Sequence, residues 1–152
     1  MSVRRIASGG PYEDVIGYSR AVIAGPNAYV SGCTALVDGM VHHEGDPYRQ
    51  ALTAFGVALD ALREGGFGKE HVVRTRMYVT HTRDIDPVGR AHKELFDAAR
   101  PAATMVVVTK LIDSQMLVEV EAVAYRPGIG QSPDGQPPDG PAPAGQPEGG
   151  AP

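Results

Sequence analysis

Two dipeptides, Asp46-Pro47 and Asp86-Pro87, do most to limit what this chain can fold into. An aspartate before a helix caps it, because the carboxylate accepts from the free N–H groups of the first turn. Proline suits the first helical position, where no N–H is needed. Behind the first pair, Tyr48, Leu52, Phe55, Leu59 and Leu62 repeat at helical spacing until Gly65-Gly66 stops the run. Behind the second, Val88, Ala91 and Leu95 turn inward with Phe96 beside them, and Pro101 bounds the helix. Between the helices lies "HVVRTRMYVT", which alternates with period two. Val73, Thr75, Met77 and Val79 point one way, and Arg74, Arg76 and Tyr78 the other.

The flanking segments read as strands. "SRAVIAGPNAYVSG" carries two apolar runs around Gly25-Pro26-Asn27, a hairpin signal, and Asp38-Gly39 marks a second tight turn. "RPAATMVVVTKLIDSQMLVEVEAVAY", from Arg100 to Tyr125, reads as two strands joined by a short polar turn. The order ββ(β)–α–β–α–β–β belongs to the α+β class, a sheet with both helices on one face. The open face then carries Arg74, Arg76, Tyr78, Glu119 and Glu121 among apolar residues such as Leu117 and Val123. A sheet face mixing aliphatic and charged groups commonly meets another copy of itself, which predicts an oligomer.

Composition bounds the rest. The chain has 152 residues, and its final segment from Pro127 is mostly proline and glycine. Such a segment buries too little apolar surface to offset its ordering entropy, so the expected division is a domain at residues 1–126 and a disordered tail at 127–152. The formal net charge of −4 lacks the concentrated basic surface that a nucleic-acid partner needs. No run approaches a membrane span, and "MSVRRIASGGPY" lacks the apolar stretch of a signal peptide. The single Cys33 excludes an internal disulfide and fits a reducing compartment; a soluble, cytoplasmic protein is expected.

The chain carries no glycine-rich phosphate loop, no paired-cysteine metal signature and no G-x-S-x-G elbow. His42 and His43 are adjacent in a hairpin, so their side chains diverge and hold no metal between them. His92, on the second helix, reads as a polar surface or interface residue. Cys33, at a strand end, reads as a buried thiol rather than an activated nucleophile. Glu119 and Glu121 share one strand face. They form either a solvated edge or a buried pair, in which case each needs a basic partner such as Arg74 or Arg76, or holds a displaced pKa useful for proton transfer.

"VSG" at an early strand end, "VVRTRMYVT", "RPAAT" and the closing "LVEVEAVAY" together resemble the reactive-intermediate deaminase (Rid, YjgF) family across roughly Val3 to Arg126. The resemblance implies a chorismate-mutase-like mixed sheet assembled as a homotrimer around a central barrel, with clefts between subunits. It also implies hydrolysis of reactive enamine or imine acids to carbonyl compounds and ammonia, with no metal and no organic cofactor. Neither nucleic acid nor membrane is an expected partner; the partners are other copies of the chain and a small-molecule substrate.

Carried over by residue, the resemblance makes Glu119 the catalytic acid that orients or activates water. Tyr18 in "IGYSRAV", without its usual preceding proline, and Ser31 become hydrogen-bonding residues of the substrate site, with Cys33 beside them. Two positions depart from the pattern. Ala103 stands where the family's carboxylate-gripping arginine belongs, and Gly89 where an asparagine is common. A bidentate, charge-assisted arginine contact is worth about 1.5–3 kcal/mol, so its loss implies a different substrate. Arg76, on the face expected to line the inter-subunit surface, is the substitute this reading offers. The leading expectation is an imine or enamine deaminase-like hydrolase. The alternative is a trimeric ligand-binding or stress-protective protein without hydrolytic activity. A ribonuclease or translation-inhibitor role, named for some relatives, fits the acidic balance least.

Overall fold

The computed structural model describes residues 3–128. The proline- and glycine-rich tail expected at 127–152 lies almost wholly outside them. Strand β1 (Val3–Ile6) and a single helical turn α1 (Glu13–Ile16) lead into strands β2 (Ala21–Ala24) and β3 (Asn27–Cys33). A ribbon of β4 (Leu36–Val37) and β5 (Met40–Val41) follows, then helix α2 (Pro47–Glu64), strand β6 (Val72–Val79), helix α3 (Ile85–Phe96), and strands β7 (Ala102–Val107) and β8 (Val118–Tyr125).

The tight turns form where their residues demand. Gly25 at φ 58° links β2 to β3, and Asp38 and Gly39, at φ 51° and 78°, give the left-handed pair that joins β4 to β5. Asp46 caps α2 by accepting from the Arg49 N–H at 2.9 Å, with Pro47 in the first position. Helix α3 begins earlier than Asp86 suggests. A 3-10 turn at Thr82–Asp84 runs straight into it, and Asp86 occupies its first turn.

Six strands form one sheet in the order β1-β2-β3-β8-β6-β7. β7 runs parallel to β6, as a strand–helix–strand crossover requires, whereas β8 runs antiparallel to it on the other side. The last two strands are therefore not a hairpin. Residues 108–117 carry the chain past β6, a span too long for a tight turn.

Both helices cover one face, with α2 across β3 and β8 and α3 beside α2. The inner stripe of α2 is Ala51, Ala54, Ala58 and Ala61 around Phe55 and Leu62, while Tyr48, Leu52 and Leu59 flank it half-buried. Small residues let this helix lie close to the sheet, and the larger ones fill its margins. The strand between the helices keeps its alternation only from Thr75 onward. A bulge between Val72 and Arg74 puts Val72 in the core and leaves Val73 46% exposed, so Val73 does not share the face of Thr75, Met77 and Val79.

His92 is partly buried rather than fully on the surface. Its Nε2 lies 2.8 Å from the Thr75 hydroxyl, and its ring packs against Phe55 and Phe96, which also touch each other. Among the described residues no helix is long and apolar enough to cross a membrane.

Candidate functional site

The open face carries the acidic strand as alternation dictates. Tyr78 faces Glu119 and Arg76 faces Glu121 across the β6–β8 ladder, with Val123 opposite Tyr29 on the other side. The two glutamates then part company. Glu121 accepts from Arg76 Nη1 at 3.1 Å and from the Tyr78 hydroxyl at 3.1 Å, a satisfied cluster on the sheet surface. Burial, and then the bond to Glu121, push the Tyr78 phenol up. Among the described residues Glu119 makes no such pair; it lines a cavity.

That cavity, about 520 Å³, opens where β3 bulges between Val30 and Cys33 beside β8. Its lining combines polar Tyr18, Arg20, Ser31 and Glu119 with apolar Leu36, Val37, Val57, Ile112 and Met116. Burial raises the pKa of Glu119, nearby Glu121 raises it further, and Arg20 works the other way. Cys33 lines the same space but is 1% exposed, and burial pushes its thiol up to about 11. That thiol is protonated at neutral pH and is not a nucleophile in waiting.

The structure thus brings Tyr18, Ser31, Cys33 and Glu119 around one cavity. Arg76 is not among its lining residues, being held to Glu121 on the open sheet face. Ala103 sits exposed on the edge strand β7, also outside the cavity of its own chain. Arg100 turns back on its own helix end, its guanidinium 3.2 Å from Asp97.

Sequence reasoning passed over Arg20, which organises the polar part of that lining. Its Nε donates to the Ser8 hydroxyl at 3.2 Å, Nη2 to the Tyr18 hydroxyl at 3.1 Å, and Nη1 to the carbonyl of Gly32 and to Ser31 Oγ at 3.3 Å. Glu13 lies 3.8 Å from Nε, both side chains being about nine-tenths buried. Burial opposes ionisation of Glu13, but the Ser8 hydroxyl and amide, the Gly10 amide and Arg20 outweigh it and lower its pKa. The available signal was an arginine directly abutting the apolar run "AVIA". The β7–β8 loop adds Lys110, which borders a shallower recess opening beside Glu119 and Ile112.

Among the described residues, no group of three or more histidine, cysteine, aspartate or glutamate side chains is placed to hold a metal ion. The His42 and His43 rings form a tilted pair, their centroids 6.1 Å apart.

Known proteins place this architecture. The Endoribonuclease L-PSP family model matches residues 12–126. An uncharacterized protein of Streptomyces coelicolor is 53% identical over 82% of this chain and 93% of its own. A human 2-iminobutanoate/2-iminopropanoate deaminase is 30% identical over 80% of this chain and 90% of its own. The crystal structure of a YjgF/YER057c/UK114 family member from Mycobacterium tuberculosis superposes with a TM-score of 0.75 at 39% identity, covering 82% of this chain and all of the other. The chain therefore belongs to the Rid/YjgF family, whose sequence model carries the name Endoribonuclease L-PSP.

Proposed function

We propose that the protein is a small-molecule hydrolase of the imine or enamine deaminase type, with Glu119 as its catalytic group. The observation that carries this reading is a half-buried carboxylate lining a cavity among apolar residues and, among the described residues, without a salt-bridge partner. A carboxylate whose pKa is raised can take a proton from water as it adds to the imine carbon, and return it to the departing nitrogen. Atoms balance without any redox partner: water adds to C=N, the C–N bond breaks, and a carbonyl compound and ammonia leave. Tyr18 and Ser31 supply hydrogen bonds to the substrate's polar end. Cys33, protonated, serves as a small wall residue. The human relative's deaminase name supports the reaction class.

The walls favour a substrate with an apolar body and one polar end. With alanine at 103, a substrate carboxylate lacks the arginine that the family resemblance would assign to it. Arg76 enters the reading only through assembly, if the open sheet face of one copy borders the cavity of another in a trimer. Loss of 2-oxo acid binding in Arg76→Ala would support that role, and unchanged binding would remove it.

The competing reading, a ligand-binding protein without hydrolytic activity, draws its support from Ala103. One assay separates the two. Imines are generated in situ by an amino-acid oxidase against a competing nucleophilic trap, across aliphatic, aromatic and acidic side chains. Faster hydrolysis with the wild type, lost in Glu119→Gln, establishes the hydrolase. No acceleration with any imine leaves the binding protein.

A further inference from the structure

Gly32 sits in the bulge of β3, and its backbone is not in the left-handed region that would itself call for glycine. What calls for glycine is Glu119. A Cβ at position 32 would overlap the Glu119 Oε1 atom and come within 2.9 Å of its Cδ. The carboxylate therefore lies directly on the backbone of the bulge, in space that any side chain would fill. The same residue is also held by a side chain. Arg20 Nη1 donates to the Gly32 carbonyl, while the rest of that guanidinium is fixed by Ser8, Tyr18 and Glu13. A bulged residue has no ladder partner of its own, so this bond substitutes for the sheet in fixing it.

We propose that Gly32 and Arg20 are positioning residues for Glu119: the missing side chain at 32 leaves the berth for the carboxylate, and the Arg20 guanidinium fixes the backbone that forms it. Neither residue reacts. Together they set where the carboxylate stands and how much water reaches it. The colliding atoms at 32 are the mobile end of a side chain, so alanine there displaces the carboxylate rather than the sheet. For catalysis this rests on Glu119 being the reacting group. Gly32→Ala should then lower kcat with KM little changed.

The decisive experiment does not use turnover. Protein labelled with 13C at the glutamate carboxyls is titrated by NMR, the Glu119 signal being identified by its loss in Glu119→Gln. In Gly32→Ala the Glu119 pKa should fall back toward the ordinary carboxylate value as the group moves into water. Arg20→Lys keeps the charge but loses the planar fork, and should shift the Glu119 titration as well. Identical titration of Glu119 in wild type and both variants would overturn the proposal. Should Gly32→Ala be too unstable to titrate, a double-mutant cycle replaces it. Gly32→Ala should cost less thermal stability in a Glu119→Ala background than in the wild type, and an equal cost in both would overturn the proposal. A protein that hydrolyses no imine can still pass these tests, so the positioning role and the proposed activity fail separately.

Discussion

At the residue scale, two glutamates two positions apart on one strand have opposite surroundings. Glu121 is satisfied by Arg76 and Tyr78, whereas Glu119 is left to the cavity. A carboxylic acid with a raised pKa binds its proton more tightly folded than unfolded. Its contribution is present at low pH and lost as pH rises through the folded value. At neutral pH the ionised Glu119 therefore costs stability that its neutral isostere would not. Glu119→Gln should melt higher than the wild type at pH 7, with the gap closing on acidification below the ordinary value of 4.5. A variant melting lower at pH 7 would mean that Glu119 is a structural partner. The acidic pair was visible in the sequence, but the split between its members was not, because it depends on the bulge that brings Gly32 under one of them. Arg20 was equally hidden. Its partners Ser8, Glu13 and Ser31 come from separate segments of the chain, and no local spacing announces their convergence on it.

At the element scale, the helices and turns were the legible parts, since Asp46-Pro47 and Asp38-Gly39 encode their structures in adjacent residues. The β7–β8 connection was misread because apolar runs reveal strands but not which strands pair, and here β6 lies between them. That connection forms part of the cavity wall through Ile112 and Met116, and one side chain ties it down. The fully buried Gln50 of α2 donates to the Gln115 carbonyl at 2.8 Å and accepts from the Leu117 amide at 2.8 Å. Gln50→Leu keeps the volume but strands both groups, and should cost about 2 kcal/mol in urea unfolding; a cost under about 0.5 kcal/mol would show the loop to be held otherwise. Between α3 and the sheet, burial lowers the pKa of His92 from its ordinary value of 6.5. The unfolded chain then binds the proton more readily, so stability is full above that value and falls as pH drops below it. His92→Gln should flatten the decline in urea midpoint between pH 7 and pH 5. An unchanged slope would locate the acid sensitivity elsewhere.

For the whole molecule, the sheet has one face under two helices and one face bare. The bare face carries Tyr29, Tyr78, Val106 and Val123 around the Arg76–Glu121 pair, and Val106 and Tyr29 are 42% and 49% exposed. Aliphatic and aromatic groups set around a paired charge suit a symmetric contact better than they suit water. Multi-angle light scattering should give three times the chain mass, and Val106→Glu should shift it toward the monomer. A wild-type monomer would contradict the assembled reading of the site, including any part for Arg76. The sequence carried this face in the alternation of "RTRMYV" against "VEVEAV", but not the cavity at its end, which needs the bulge and the loop together.

The central claim is that Glu119 performs chemistry in that cavity. The most direct measurement compares ammonia release from an in situ imine by wild type and Glu119→Gln, alongside binding of the matching 2-oxo acid. Removing a general acid–base group should slow release by about 100-fold or more while binding persists. A glutamine variant that hydrolyses the imine as fast as the wild type would contradict the account.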